Sequence, residues 1–219
     1  SARLNGLVGQ NGMGKTNLLD AVYYLCMGKS YFSVRDQYLV QHEAEFFRLV
    51  GVFEDGDRKD RLVVKVVPRQ RKELELNGRV YEKLADHVGR FPVVIVVPDD
   101  TQLIREGSEE RRRFLDNTLS QLDSDYLRHL LQYNKVLKQR NALLKQWGGR
   151  MYSPDLLDVY DQQLLQPAAY IHARRTTFVD QFREPFFAAH AAICGGQEEV
   201  DLVYRSALKD ASLLEVLQA

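Results

Sequence analysis

The residues with the clearest chemistry lie near the start of the chain, where glycine, lysine and threonine follow the spacing G-x-x-x-x-G-K-T. Glycines in such a loop let backbone N–H groups approach phosphate oxygens, and a following helix points its positive end at the same anion. The lysine then reaches the β- and γ-phosphates, and the hydroxyl coordinates Mg²⁺. The predicted nucleotide–Mg²⁺ site consists of Gly9, Gln10, Asn11, Gly12, Met13, Gly14, Lys15 and Thr16.

A phosphate loop of this kind requires a strand before it and a helix after it. The run "RLNGLVG" has the composition of a strand end, and the apolar residues after the loop recur at helical spacing. They are Leu18, Leu19, Val22, Tyr23 and Leu25. This context favours nucleotide binding over a simple glycine-rich turn.

The next part of the chain is rich in short β-type runs. Turn residues at Asp55-Gly56 and Asn77-Gly78 separate the runs between Phe46 and Val80, which predicts antiparallel hairpins. The five consecutive β-branched residues Val93–Val97 are typical of a strand buried on both faces of an α/β sheet. We therefore expect this strand to be central.

The second half of the sequence is mostly helical in pattern. One helix is predicted from Ser108, a second from about Asp125 to Trp147, and a third from about Pro154 to Phe182. Glu184-Pro185 is expected to interrupt the third helix, because proline removes a backbone donor and clashes with the preceding turn.

Composition narrows the class of protein but does not identify a ligand. The 219 residues contain 30 Lys plus Arg and 30 Asp plus Glu, so attraction to nucleic acid requires a local basic patch. The two cysteines have no metal-type spacing and fit a reducing cytosol. No apolar run approaches the roughly 20 residues that span a bilayer, and the start of the sequence does not resemble a signal peptide. We expect a cytoplasmic protein without membrane contact.

Hydrolysis of ATP requires an acid that positions the metal and a group that orients water. Asp99 and Asp100 follow the apolar strand, but Pro98 stands between them and that strand, so a polar turn is the favoured interpretation. A metal-positioning role for these acids and an approach of Gln102 to Mg²⁺ both remain open.

A basic helix is the candidate contact for nucleic acid. Between Tyr126 and Arg150 there are six basic residues and no Asp or Glu. The residues that could follow a phosphate backbone are Lys135, Lys138, Arg140 and Lys145. A solvated helix face is the alternative.

Three further groups of residues have a structural and a functional interpretation. Among Arg111, Arg112 and Arg113, at least one is expected to pair with a carboxylate, because consecutive helical positions point in different directions. Tyr31 and Phe32 are the aromatic residues that could stack on adenine. The five histidines show no metal-ligand spacing, and no Ser-His-Asp or Cys-His arrangement is suggested.

Several separated stretches together resemble one protein family. They are "NGLVGQNGMGKTNLLDAVYYLCMGKSYF", "VVIVVPDDTQLIREGSEERRRFLD" and "YNKVLKQRNALLKQ", which span about residues 4–146 in the family's order. With these residues the chain resembles RecF, the bacterial recombination mediator with an ABC-type, SMC-like ATPase head. Residues 147–219 are assigned to the same family by continuity alone.

The resemblance implies an α/β fold, with a P-loop NTPase lobe that carries antiparallel β hairpins and with an α-helical lobe. It also implies an ATP- and Mg²⁺-dependent DNA-binding protein that dimerises around ATP and helps load recombinase at single-strand gaps. Its partners would be DNA at gaps or duplex junctions and other recombination mediator proteins, in replication, repair and the SOS response. We expect residues 1–110 to form a partial ATPase lobe and residues 111–219 an incomplete helical arm lobe.

The sequence also departs from the pattern of that family. The family carries strands ahead of the phosphate loop, a Ser-Gly-Gly-type signature and an acid-tipped Walker B strand, none of which is found in these residues. We therefore expect a fragment that binds ATP weakly and hydrolyses it negligibly by itself, from a parent that is a weak ATPase. A stand-alone P-loop nucleotide kinase and a helical protein-interaction module remain as alternatives.

Overall fold

A computed structural model describes residues 4–33, 35–105, 107–147 and 154–218, and the side chains of Gln102, Trp147, Pro154 and Gln218 are outside the description. The chain forms two compact units, Ser1–Thr101 and Gln102–Ala219. The first contains an antiparallel sheet and one long helix, and the second is helical, so the predicted α/β class is confirmed. The predicted assignment of residues 1–110 and 111–219 to an ATPase lobe and an arm lobe stays a prediction.

The sheet of the first unit consists of four antiparallel strands in sequential order. They are β1 (Phe47–Asp55), β2 (Arg58–Val66), β3 (Glu73–Leu76) and β4 (Arg79–Val80). The tight connection between β3 and β4 has positive φ at both Asn77 (52°) and Gly78 (83°), as a type I′ turn requires. Both predicted hairpins are confirmed.

Helix α1 (Lys15–Met27) packs its C-terminal half against this sheet. Tyr24 and Leu25 form a buried cluster with Leu62, Val64 and Leu74. A Cβ atom at Gly51 would lie 2.8 Å from Leu25 Cδ1, so a larger residue there would require the Leu25 side chain to shift. The sheet therefore fixes the far end of α1 and leaves its first turn open.

Two predicted strands of the first unit are wrong. Residues 4–10 and 92–97 belong to no strand that the structure describes. Val93 and Ile95 pack against Tyr23, Cys26 and Met27 of α1, whereas Val94 and Val96 are 85% and 81% exposed. The apolar run is therefore buried on one face only. Five consecutive β-branched residues do not distinguish burial of one face from burial of both faces.

The second unit contains five helices and a 3-10 turn (Ala207–Lys209) within its described residues. The helices are α2 (Gln102–Arg105), α3 (Ser108–Leu122), α4 (Ser124–Trp147), α5 (Pro154–Cys194) and α6 (Leu213–Gln218). Leu119 of α3, Tyr126 of α4 and Ile171 of α5 form the buried centre. Within the described ranges, every helix is too short or too polar to cross a lipid bilayer.

The predicted interruption at Pro185 is wrong, since α5 continues to Cys194. Phe178, Phe182, Phe186 and His190 recur every four residues, and each ring contacts the next along the helix. These contacts lie on both sides of Pro185, so the row of rings continues along α5 past the proline.

Arginine–aspartate pairs join the helices of the second unit. Arg140 Nε of α4 lies 2.5 Å from Asp161 Oδ1 of α5, and the two side chains are only 12% and 7% exposed. Arg175 of α5 pairs with Asp116 of α3 at 2.6 Å. Such pairs fix how the helices align along their length.

His87 connects α1 to the 3-10 turn Leu84–Asp86 in the first unit. Its ring is fully buried, and Nε2–H donates to the Leu25 carbonyl at 2.7 Å, whereas Nδ1 has no partner among the described residues. Burial lowers the pKa of His87 below its ordinary 6.5, although hydrogen bonds to the carbonyls of Leu25 and Cys26 oppose this. The native state therefore holds this ring neutral.

We predict that His87 makes the first unit less stable in mild acid. Because the folded pKa is lowered, the unfolded chain binds the extra proton once the pH falls below about 6.5, and the free energy of unfolding decreases by up to about 1.4 kcal/mol per pH unit. His87→Gln should remove this component from urea unfolding measured between pH 7.5 and 5.5. The exposed His42→Gln is the matched control, and an unchanged pH dependence in His87→Gln would contradict the prediction.

We also predict that Arg140→Ala destabilises the second unit by about 3–5 kcal/mol, because Asp161 would be left buried without its partner. Replacing both residues, as Arg140→Met with Asp161→Leu, should restore much of the loss. Arg113→Ala, which removes an exposed pair with Glu110, should cost less than about 0.5 kcal/mol. Denaturant unfolding followed by helical circular dichroism tests all three, and equal losses for Arg140→Ala and Arg113→Ala would refute the distinction.

Candidate functional site

The predicted phosphate loop leads directly into the first turn of α1. Gly14 is the residue before the helix and has φ 85°, and Gly12 has φ 82°, which are left-handed conformations that favour glycine. No atom lies within 4 Å of a Cβ built at either position, so backbone conformation rather than space requires glycine there. The predicted site residues from Gly9 to Thr16 therefore lie in one loop and one helical turn.

The open end of α1 has the electrostatics of an anion site. No side chain caps its first N–H groups, and its first turn contains no acidic residue. Helix N-termini carry a partial positive charge, which negative groups of a ligand can satisfy. Thr16 is exposed in the same turn, so its hydroxyl is accessible.

Lys15 folds back over the loop. Its ammonium Nζ donates to the carbonyl oxygens of Gly9 and Gln10, each at 2.8 Å. These bonds hold the side chain above the loop in which a phosphate would lie. The residues present thus fit a nucleotide phosphate chain, with backbone N–H donors, one ammonium group and one hydroxyl.

The segment after α1 returns along the helix toward this end. Asp20 of α1 accepts from Ser30 Oγ at 2.7 Å and from the Tyr31 N–H at 2.8 Å. Ser30 Oγ in turn accepts from the N–H groups of Phe32 and Ser33. Sequence analysis did not identify Asp20 or Ser30, because their contact depends on how the chain turns after Gly28.

Asp100 has a structural role at the end of the apolar segment Val93–Val97. Its Oδ1 accepts from the Tyr31 hydroxyl and its Oδ2 from the Val97 N–H, both at 2.8 Å. Both oxygens are therefore engaged in holding the 3-10 turn Pro98–Thr101, as the polar-turn interpretation expects. Asp99 is exposed on the same turn, and the predicted approach of Gln102 to Mg²⁺ falls on a side chain outside the description.

The two aromatic residues predicted to stack on adenine differ in how accessible their rings are. Tyr31 packs edge-on against Tyr23 at 5.4 Å between ring centroids, and its hydroxyl is bound to Asp100. Phe32 is 51% exposed and contacts Tyr31 with its ring. Tyr31 is therefore fixed, and Phe32 is the ring that a base could reach.

The basic residues of α4 fall on two opposite sides of the helix. At about 100° per residue, Lys135, Lys138 and Lys145 lie within an arc of about 80°, whereas Arg140 points to the opposite side. The three lysines are exposed, and none of the described residues forms an ion pair with them. The buried pair with Asp161 argues against the predicted DNA contact of Arg140.

The arginine block at the start of α3 is engaged locally. Arg113 pairs with Glu110 at 3.0 Å, which confirms that at least one of the three arginines has a carboxylate partner. Arg111 donates to the Leu103 carbonyl at 2.9 Å, and Arg112 donates to Ser108 Oγ. These contacts join α2 to α3 and close the first turn of α3.

Metal-binding clusters of His, Cys, Asp and Glu are absent from the residues that the structure describes. One Cys–His contact that sequence analysis did not suggest occurs in the last turn of α5, where Cys194 Sγ lies 3.4 Å from His190 Nδ1. Burial raises the pKa of the Cys194 thiol, but backbone N–H donors at Glu198, Gly196 and Gln197 outweigh it and lower the pKa below its ordinary value.

Solved structures of one kind resemble this chain. A structure of the recombination mediator protein RecF-ATPrS in the RecFOR pathway superposes with a TM-score of 0.76 at 32% identity, over 80% of this chain and 48% of that one. A structure of RecF-ATP gives a TM-score of 0.73 at the same identity. No family model matches the chain.

Curated relatives agree with these structures. The DNA replication and repair protein RecF of Flavobacterium johnsoniae is 44% identical over 217 residues, which are 99% of this chain and 60% of the relative. The RecF proteins of Porphyromonas gingivalis and Bacteroides fragilis are 45% and 41% identical over 219 residues, each covering 59% of the relative. The chain thus spans about 60% of the length of the relatives that it matches. Over nearly its whole length, the chain is homologous to the RecF proteins of DNA replication and repair.

Proposed function

We propose that the chain is the ATP-binding and helical-arm part of a RecF-type recombination mediator. The observation that carries the proposal is the uncapped first turn of α1 behind the glycine loop, with Lys15 folded over that loop. The homology supports a role for the parent protein in replication and repair. In that role it would bind DNA in an ATP-dependent manner and help load recombinase at single-strand gaps.

The nucleotide that this loop fits best is ATP with Mg²⁺. Backbone N–H groups from Gly12 to Lys15 would hold the phosphates, Lys15 would contact the β- and γ-phosphates, and Thr16 would ligate the metal. When bound, Mg²⁺ neutralises part of the phosphate charge. We propose that the chain binds ATP and, by itself, hydrolyses it negligibly, while the parent protein is a weak ATPase.

Lys15→Ala should abolish the stabilisation of the chain by ATP–Mg²⁺. At about ten times its Kd, ATP contributes about 1.4 kcal/mol to the bound native state, which raises the Tm by roughly 3–5 °C. A thermal melt with and without ATP–Mg²⁺ measures this shift. The exposed Lys83→Ala is the matched control and should keep the shift. A shift that survives in Lys15→Ala, or fast ATP turnover by the wild-type chain, would contradict the proposal.

We further propose that the exposed side of α4 contacts the phosphate backbone of DNA through Lys135, Lys138 and Lys145. Their shared arc is opposite the buried side that carries Tyr126 and Val136, so a DNA backbone could contact all three without disturbing the core. Arg140 is not part of this contact. The polar neighbour Gln139 is exposed beside Lys135 and carries no charge that would repel phosphate.

Changing Lys135, Lys138 and Lys145 together to glutamine should weaken DNA binding and its salt dependence. Each phosphate contact contributes about 0.9 to the slope of log K against log salt for a duplex, so the slope should fall by about two to three. Binding to a gapped duplex should be measured at several salt concentrations. Lys83→Gln with Lys209→Gln removes two exposed charges elsewhere and should leave the slope unchanged. An unchanged slope in the triple variant would exclude α4.

Four further properties are proposed on the basis of homology alone. They are ATP-dependent dimerisation of the full-length protein, interaction with other recombination mediators, a contribution to the SOS response, and a cytoplasmic location. Dimerisation in the presence of ATP is the property that sedimentation of the parent protein would test directly.

A further inference from the structure

The face of α1 that carries Thr16 also carries the contacts that hold the neighbouring turn. Thr16, Asp20 and Tyr23 are separated by four and three residues, so they lie on one side of the helix. Asp20 binds Ser30 and the Tyr31 N–H, and Tyr23 packs against the Tyr31 ring. Tyr31 is therefore fixed on the face that begins with the predicted metal-binding hydroxyl.

Tyr31 extends this contact to a second segment. Its hydroxyl donates to Asp100 Oδ1 at 2.8 Å, and the other oxygen of Asp100 closes the turn by accepting from the Val97 N–H. These bonds tie the Pro98–Thr101 turn to the loop that returns along α1. The two acids of the turn thereby differ in role, since Asp100 holds the turn and Asp99 is exposed.

Asp99 could supply a carboxylate, which is a kind of metal ligand that the phosphate loop does not contain. The loop and the first turn of α1 supply N–H groups, an ammonium group and a hydroxyl, and their first turn contains no carboxylate. Carboxylate oxygens are preferred ligands of Mg²⁺, directly or through its water molecules. Among the described residues, no hydrogen bond or ion pair engages Asp99.

We propose that Tyr31 is a positioning residue of the nucleotide site, which holds the Pro98–Thr101 turn so that the Asp99 carboxylate helps bind the Mg²⁺ of the nucleotide. Tyr31 acts through the hydrogen bond to Asp100 and does not contact the ligand with its hydroxyl. This inference rests on the proposed ATP–Mg²⁺ site and adds to it the residues outside the phosphate loop that support the metal.

The test compares ATP binding with and without Mg²⁺, using a fluorescent ATP analogue on the whole chain. In the wild type, Mg²⁺ should tighten binding. Tyr31→Phe, which removes only the hydroxyl, and Asp99→Asn should each reduce this Mg²⁺ enhancement about fivefold and leave the affinity in EDTA unchanged. The double variant should lose no more than Asp99→Asn alone, because both changes remove one contribution.

Tyr38→Phe is the matched control, since Tyr38 is an exposed tyrosine of the same unit, and it should retain the full enhancement. A Tyr31→Phe variant that loses affinity equally with and without Mg²⁺ would show a merely structural role and overturn the inference. Additive losses in the double variant would also overturn it. A wild-type chain that binds no ATP under either condition would overturn the proposed function together with this inference.

Discussion

The phosphate loop depends on the packing of α1 against the antiparallel sheet. Leu25 lies so close to Gly51 that a larger residue there would displace the Leu25 side chain, and Tyr24 and Leu25 are buried among sheet residues. The C-terminal half of α1 is therefore held by apolar contacts, while its first turn stays exposed with its N–H groups unbound by side chains. A helix fixed at one end presents the other without rearrangement, which reduces the entropy that a ligand must overcome.

Three arginines of the helical unit pair with aspartates of other elements, whereas the lysines of α4 are exposed. Arg140, Arg174 and Arg175 pair with Asp161, Asp123 and Asp116 between helices. The planar guanidinium group suits such partly buried pairs, whereas the lysine ammonium is more strongly hydrated and remains at the surface. Because these aspartates are paired with arginines, they do not offset the exposed lysines of α4. A formal net charge of zero is therefore compatible with a basic surface.

Local constraints explain what the sequence could predict. The spacing of Gly9 to Thr16 and the Asn77-Gly78 pair each specify a backbone conformation within a few residues, and both occur as expected. Burial of the run Val93–Val97 was harder to predict, because whether its second face is covered depends on residues distant in sequence. Pro185 does not end α5, and ring contacts continue along the helix on both sides of it.

Arg140 and Asp20 show the limits of the site prediction. The basic character of α4 is evident in the sequence, but the partner of Arg140 lies 21 residues away on another helix. Its helical phase, shared with the buried side of α4, was the signal that could have excluded it. Asp20 has no comparable signal, since its partners Ser30 and Tyr31 meet it only because the chain reverses after α1.

The hydrogen bonds of Lys15 to Gly9 and Gln10 have a consequence for ligand selectivity. The ammonium group already has two carbonyl partners within the loop, so an anion that takes their place gains only the difference in free energy. A small anion with a single charged group offers little over two carbonyl oxygens. In the proposed nucleotide site, a chain of phosphates would also engage the N–H groups of the loop and the end of the helix. Competition with the two carbonyl oxygens would then favour polyphosphates over simple anions.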